Sequence, residues 1–373
     1  MPNALTDSAA PAHQSYPCDA CGAEMRFAPG GGALICDHCG NRQEIAAPGP
    51  WSNALKELDL AAALSAQLPI EETEQRAPLK CPNCGAEVVL EGDAHAGKCP
   101  FCATPMVTGT GAQRRFKPRG VLPFALDERT ARAAMTQWLG GLWFAPSGLK
   151  DYARKGRKLQ GIYVPYWTYD AATRSSYRGE RGTVYYETRT VMRDGKRETV
   201  QVAKIRWHPV SGRVSRAFDD ILVLASHALP KHYTDALQPW DLSGLQPYSP
   251  AFLAGFAAEA YTVPLEDGYD EARAHMDAVI ARDIRFDIGG DRQRIHAVDT
   301  DISNASFKHI LLPVWMAAYK YRGRSFRFVV NGLTGRVQGE RPWSAWKIGF
   351  AVLVGLILAG ALGYAYALQQ GAL

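Results

Sequence analysis

The sequence predicts an α+β fold in three parts, and three observations predict it. All eight cysteines fall in Cys-x-x-Cys pairs near the N-terminus. Two stretches in the middle of the chain repeat a helical pattern followed by strand patterns. An uncharged apolar run, Ile348 to Leu368, lies near the C-terminus. At 373 residues the chain is long enough for two or three folded units, and 47% apolar residues suffice for a sizeable core. A net charge of +5 is too mild to mark a nucleic-acid protein by itself.

The cysteines form two sets with one spacing. Cys18-x-x-Cys21 is followed, after fourteen residues, by Cys36-x-x-Cys39. Cys81-x-x-Cys84 is followed, after fourteen residues, by Cys99-x-x-Cys102. The offset is 63 residues, and the first knuckle of each set continues Cys-Gly-Ala-Glu, at Cys21–Glu24 and at Cys84–Glu87. Four thiolates in two pairs suit tetrahedral Zn²⁺, and a fourteen-residue gap accommodates the short hairpin of a zinc ribbon. The expectation is two zinc ions, one per set, each contributing about 10–16 kcal/mol to the folding of a module with little core. Gly22, Gly40 and Gly85 occupy the knuckle position, where Ala103 stands in the fourth knuckle. A redox Cys-x-x-Cys would come singly beside a βαβ unit, and an iron–sulfur cluster rarely uses two matched knuckles. With four cysteines per site, no coordination position is left open for water, so the sites are structural rather than catalytic. His38 is read as a bystander. No signal-peptide pattern is seen in Met1 to Pro17, so the thiols are expected to stay in a reducing compartment.

Between the sets, residues 50–68 read as a linking helix, with Leu55, Leu58 and Ala62 at helical spacing and prolines on either side. Gly92 to Lys98 matches the first seven places of a phosphate-binding loop. The eighth place is Cys99 and Pro100 follows it, so the Ser/Thr and the helix start that such a loop requires are missing.

The apolar run is 21 residues long, about 30 Å as a helix, which matches a bilayer core. Trp343 and Trp346 mark one interface, and Tyr364 and Tyr366 approach the other. Arg336, Arg341 and Lys347 flank only the N-terminal side. The expectation is a single-pass, tail-anchored protein of the inner (cytoplasmic) membrane with its N-terminal bulk in the cytoplasm. Ala351, Gly355, Ala359 and Gly363 recur every four residues, a stripe through which a second helix or a second copy could approach.

In the middle region, Val121-Leu-Pro-Phe precedes a helical pattern with Ala131, Ala134, Met135, Trp138 and Leu139 on one face. Val263-Pro-Leu precedes another with Ala272, Met276, Val279 and Ile280. Val164-Pro-Tyr-Trp167 is answered by Leu312-Pro-Val-Trp315, Tyr177-Arg-Gly179 by Tyr321-Arg-Gly323, and Ser211-Gly-Arg-Val214 by Thr334-Gly-Arg-Val337. Each half reads as a helix followed by antiparallel strands, with Asp194-Gly195 and Asn331-Gly332 as turns. The expected boundaries are 14–46 for the first ribbon, 50–68 for the linking helix, 78–109 for the second ribbon, 119–220 for the first repeat, 221–260 for a connecting segment, 261–341 for the second repeat and 348–368 for the transmembrane helix.

Charge is uneven. Residues 150–216 hold 16 Lys/Arg against 6 Asp/Glu, and residues 217–301 hold 6 against 15. The two halves could neutralise one another, or the basic, aromatic-rich segment could meet lipid, protein or nucleic acid. The histidines follow no metalloprotease spacing, no Gly-x-Ser-x-Gly is present, and Asp219-Asp220 reads as an acidic helix start. No catalytic set emerges, and the chain is expected not to be an enzyme.

The segments His309–Trp315, Tyr319–Gly323, Phe328–Val337 and Gly339–Pro342, just before the apolar run and combined with paired ribbons, resemble bacterial membrane proteins described as TFIIB-type zinc-ribbon-containing. Some of these are similar to membrane partners of flotillin-like (SPFH) proteins and of phage-shock protein A, and others carry the label primosomal protein N′ or superfamily II helicase. The resemblance implies a non-enzymatic adaptor or scaffold in a membrane-stress or membrane-organisation complex. Its alternative is a membrane-tethered nucleic-acid binder using the ribbons and the segment 150–216.

Overall fold

The computed structural model describes residues 16–45, 55–65, 73–76, 79–81, 86–88, 96–98, 101, 105–107, 113–144, 159–193, 196–321, 324–340 and 344–369. Three long strands dominate it: Gln160–Arg193, Lys196–Leu224 and Arg292–Tyr321. Their sequences are rich in Val, Ile, Thr, Tyr and Trp, the residues that pack well on a pleated surface. The first long strand is central. It pairs antiparallel with the second from Tyr166↔Leu224 to Arg193↔Lys196, and with the third from Gln160↔Met316 to Gly182↔Arg292. The first and second are joined by two residues only, where Asp194-Gly195 is expected to turn; those two lie outside the described residues. A shift in register at Asp170 interrupts both ladders, a local irregularity of the kind that bends a strand.

One face of this sheet is covered by a long helix, Leu265–Ile288. Its buried residues are Leu265, Gly268, Ala272, Met276, Ile280, Ile284 and Ile288, a stripe with steps of three and four residues that faces Trp167, Tyr169, Tyr177 and Phe307. Two side chains of the first strand also tie the helix start by hydrogen bonds. Trp167 Nε1 donates to the Val263 carbonyl at 3.0 Å, and the Tyr169 hydroxyl donates to that of Leu265 at 2.8 Å. Gly268 permits this approach, because a Cβ there would lie 2.5 Å from the Tyr169 hydroxyl oxygen. A shorter helix, Glu128–Gly140, begins where the Asp127 side chain accepts from the Thr130 N–H at 2.8 Å. Its buried Ala131, Met135 and Leu139 share a core with Phe328, Val330 and Val337.

Each helix follows a short strand laid parallel to a long one. Gly120–Val121 runs beside Ile310–Leu311, and Ala257–Ala258 beside Ile162–Tyr163. Seven positions separate Val121 from Glu128, and seven separate Ala258 from Leu265. Val164 lies directly opposite Leu312. Two of the other sequence matches fall at places that are not equivalent. Ala257–Ala258, not Val263-Pro-Leu, stands in the place of Gly120–Val121. Ser211–Val214 lies inside the second long strand opposite Ser175–Arg178, whereas Thr334–Arg336 follows Asn331 in the turn before Val337–Gly339. In that turn the Asn331 side-chain oxygen accepts from the N–H groups of Leu333 and Thr334 at 2.8 and 3.0 Å. The second long strand also runs through the expected boundary at 220 to Leu224. Asp219 and Asp220 lie in it rather than at a helix start.

Within the described part of 50–68, the helix is one turn, Leu60–Leu64. It starts late because Asp59 caps it, accepting from the Ala62 N–H at 2.7 Å. Leu58–Asp59 just before it is extended and pairs with Ser306–Phe307. At the other end of the chain, the helix Ala345–Gln369 includes Trp346–Tyr366, which is long and apolar enough to cross a membrane, with mean hydropathy 2.2 and none of it buried in the protein.

Candidate metal centre

The first cysteine set sits on three short strands, Met25–Ala28, Ala33–Cys36 and Arg42–Glu44. Both knuckles close the same way. The Gly22 N–H donates to the Cys18 carbonyl at 2.8 Å and the Gly40 N–H to that of Cys36 at 2.9 Å. Gly22 and Gly40 have φ of 73° and 76°, a conformation that glycine adopts without strain. The turns bring the four sulfurs together. Cys18 Sγ is 3.5 Å from Cys39 Sγ, Cys21 Sγ is 3.5 Å from Cys36 Sγ, and all four lie within 4.8 Å of one another. A tetrahedral ion with bonds of about 2.3 Å to sulfur holds its ligands roughly 3.8 Å apart. The set therefore fits a metal ion, with all four positions supplied by thiolates.

The electrostatics point the same way. Burial raises the Cys18 thiol, but the N–H groups of Ala20 and Cys21 and the Asn41 amide, 3.5 Å away, outweigh it and bring Cys18 to about 6. The Ala23 N–H and the Cys39 sulfur pull Cys21 down, yet burial with the Cys36 and Cys18 sulfurs raises it; the Asn41 N–H pulls Cys39 down, yet the Cys21 and Cys18 sulfurs, with burial, raise it to about 12. Four thiolates cannot share so small a volume without a cation. Spacing does not single out Asn41; its position directly after a knuckle glycine is the signal.

The cysteine cluster is not all that holds this module. Met25, Phe27 and Leu34 are buried in the same core as Phe124, Phe252 and Phe256. The Phe27 N–H donates to Ala254 at 3.0 Å and the Gly30 N–H to Phe124 at 2.9 Å. A cleft of about 700 Å³ remains along this seam, lined by Phe27, Pro123, Phe124, Tyr248 and Phe252 among others, with no acid, base or cysteine among its described lining residues.

Of the second set, Cys81 is described and buried, while Cys84, Cys99 and Cys102 lie outside the described residues. Among the described residues, two backbone features recur at the offset of 63. The Cys81 N–H donates to the Ala86 carbonyl at 2.8 Å, as Cys18 does to Ala23. Ala96–Lys98 pairs with Pro105–Val107 in the register by which Ala33–Ile35 pairs with Arg42–Glu44. Ala96–Lys98 is thus extended, where a phosphate-binding loop would open a helix.

Asp170, Asp219 and Asp220 also bring carboxylates together. Spacing does not reveal this cluster, because it forms only where the register shift sets Asp170 against Asp220. The Asp220 N–H donates to Asp170 at 2.5 Å. Burial raises Asp170 to about 6 against the pull of that N–H and of Lys308. The buried Lys308 ammonium lies 2.8 Å from Asp220 and 2.9 Å from Glu57, so it already supplies the positive charge that a metal would bring.

The uneven charge of the sequence is partly resolved by packing. Arg216 of the second long strand makes two bonds to Asp283 of the long helix, at 2.5 and 2.9 Å, and the Tyr177 hydroxyl donates to Asp287 at 2.5 Å. The basic strands and the acidic helix face each other.

No family model matches the chain, and no solved structure matches it. The chain is similar to a protein of Bacillus subtilis (strain 168) described as uncharacterized protein YdjG. The two are 27% identical over 337 residues, covering 90% of this chain and 92% of that one. The similarity is therefore spread along the molecule rather than confined to the cysteine motifs.

Proposed function

We propose that the chain is a non-enzymatic, membrane-anchored zinc-ribbon adaptor whose sheet extends a docking arm. The observation that carries this reading is the outer part of the long hairpin. Beyond Gly182 the third strand has ended, and Thr183–Arg193 pairs only with Lys196–Arg206 among the described residues. Eleven residues per strand extend about 35 Å. Tyr186 and Met192 on this arm are 65% and 68% exposed, and Val191, Val202 and Ile205 are exposed as well. An uncovered two-stranded ribbon is marginal in water, and exposed apolar side chains beside free strand edges are what a protein partner covers.

The remaining parts fit this role. Zn²⁺ is held by Cys18, Cys21, Cys36 and Cys39, and a second ion by Cys81, Cys84, Cys99 and Cys102. The second assignment rests on the shared spacing and on the repeated strand register. The sheet is a diverged duplication in which each unit is a short parallel strand, a helix and a hairpin; the pairing of Val164 with Leu312 puts equivalent positions face to face. The Trp346–Tyr366 helix spans the inner membrane once, with the bulk on the cytoplasmic side, as Arg336, Arg341 and Lys347 favour. The partner is a membrane-proximal protein, of the SPFH/flotillin-like or phage-shock type that the sequence resemblance implies. Nucleic acid is the weaker reading, because Asp283 takes up Arg216, and Glu187 takes up Lys204 and Arg189.

The test is affinity capture from solubilised membranes with the intact chain and with a variant whose residues 185–204 are replaced by a short turn. A protein recovered in stoichiometric amount with the first and lost with the second is the expected result. Recovery of lipid alone with the intact chain overturns the reading. Metal analysis of the intact chain should find zinc, reduced in Cys18→Ser.

A further inference from the structure

The apolar helix is not the only part of the chain placed at the membrane. After the short helix ends at Gly140, the chain turns through Gly141-Leu-Trp-Phe144, with the Leu142 N–H bonded to Leu139 at 3.2 Å and the Trp143 N–H to Gly141 at 3.1 Å. The two carbonyls at the end of this turn are taken by the start of the apolar helix. Phe144 accepts from the Ser344 N–H at 2.8 Å, and Trp143 accepts from the Lys347 ammonium at 3.2 Å. The Ser344 bond satisfies a backbone donor at the helix start, where such donors lack partners within the helix. The turn is therefore fixed level with the first turn of Ala345–Gln369.

At that level the Trp143 indole is 75% exposed, and Trp346 on the helix is 84% exposed. In a soluble setting, two large indoles beside an uncovered apolar helix would be a liability. At the boundary of a bilayer they suit their surroundings, since an indole buries its ring among headgroups and acyl chain ends while its N–H keeps a polar partner. The geometry points to a second membrane contact: the tip of the turn, Trp143, inserts into the lipid headgroup region at the level of Trp346, while Leu142 stays packed against the protein core. Lipid is the occupant because the turn is continuous, through two hydrogen bonds, with a helix whose next residues enter the hydrocarbon. The inference rests on the membrane-spanning reading of that helix. Its consequence is orientation. One helix alone would let the cytoplasmic body swivel about Ser344, whereas two attachments, one at the end of the short helix, set the body at a defined angle to the bilayer.

The experiment places the photoreactive residue benzoylphenylalanine at Trp143 or at Leu353, one at a time, in the full chain. The chain is reconstituted in vesicles of phosphatidylethanolamine and phosphatidylglycerol, and irradiated protein is examined by mass spectrometry. Phospholipid adducts at both positions are expected. An adduct at Leu353 and none at Trp143 overturns the inference while leaving the anchor in place. Absence of lipid adducts at both positions overturns the anchor reading and the inference together.

Discussion

The first and second long strands run together from Tyr166 to Arg193, but the two halves of this hairpin have different surroundings. Up to Gly182 the pair is flanked by the third strand and covered by the long helix, and Trp167, Tyr169 and Tyr177 are buried. From Thr183 onward the same ladder continues in the same register, while Tyr186 and Met192 lie in the open. The local sequence hardly changes across this boundary, being rich in aromatic and β-branched residues on both sides. Strand propensity is therefore enough to specify the ladder, and the covering layer decides which part of it is held firmly. The boundary is set from outside the hairpin, by where the third strand begins at Arg292 and where the long helix stops at Ile288.

The largest expected difference between the halves is at Trp167. Trp167→Ala removes a fully buried ring and its bond to Val263, and should cost about 3–5 kcal/mol in denaturant unfolding of the detergent-solubilised chain. A loss under about 1 kcal/mol would mean that the covered half is no firmer than the arm. Glu259, at the root of the sheet, sharpens the comparison through pH. Burial, against the Ser226 hydroxyl bonded to it at 2.7 Å, lifts its carboxyl from 4.5 to about 8, with Glu87 adding to the lift. Its contribution to stability is fully present below pH 4.5 and is lost as pH rises through about 8. Wild-type stability should fall across that window by a few kcal/mol, on the order of the shift, and Glu259→Gln should flatten the fall. A profile unchanged by the substitution would remove Glu259 as its source.

Gly268→Ala forces a methyl against Tyr169 and Trp167 and should cost about 1–3 kcal/mol, seen as a lowered Tm. Tyr177→Phe removes the hydroxyl that donates to Asp287 and should cost about 0.5–1.5 kcal/mol by the same measurement. Smallest is Tyr186→Ser on the arm, expected within about 0.5 kcal/mol of wild type while weakening capture of the partner. A large destabilisation there would show that the arm is part of the folding unit and end the contrast.

Much of this organisation is legible in the amino-acid sequence. Cysteine spacing locates a four-thiolate cluster because ligand geometry acts over short, fixed intervals of chain. The helical faces through Ala131, Met135 and Leu139, and through Ala272, Met276 and Ile280, are readable because each packs one side against a sheet. The long strands are harder. In the arm both faces are exposed and the alternation that betrays a half-buried strand is missing, so it is the Asp194-Gly195 turn signal that makes the hairpin of Thr183–Arg193 with Lys196–Arg206 legible there. Asp219-Asp220 carries the charge of a helix start, and only the distant Asp170 and Lys308 give those carboxylates a reason to lie in a strand. The Val164-Pro and Leu312-Pro fragments align the repeat as the strand pairing does, with Val164 opposite Leu312. The Gly-Arg fragments align it differently, because turns and strand edges reuse the same small residues for unrelated purposes.

The ladder between the first and third long strands joins positions more than one hundred residues apart, from Gly182↔Arg292 outward. During synthesis the hairpin can close early, but the central sheet must wait for its last partner to leave the ribosome. That partner ends at Tyr321, and the apolar helix begins at Ala345. Closure of the sheet and emergence of the apolar helix therefore fall within nearly the same interval of translation. A delay in the first would leave an unfinished, adhesive body beside an uncovered apolar helix.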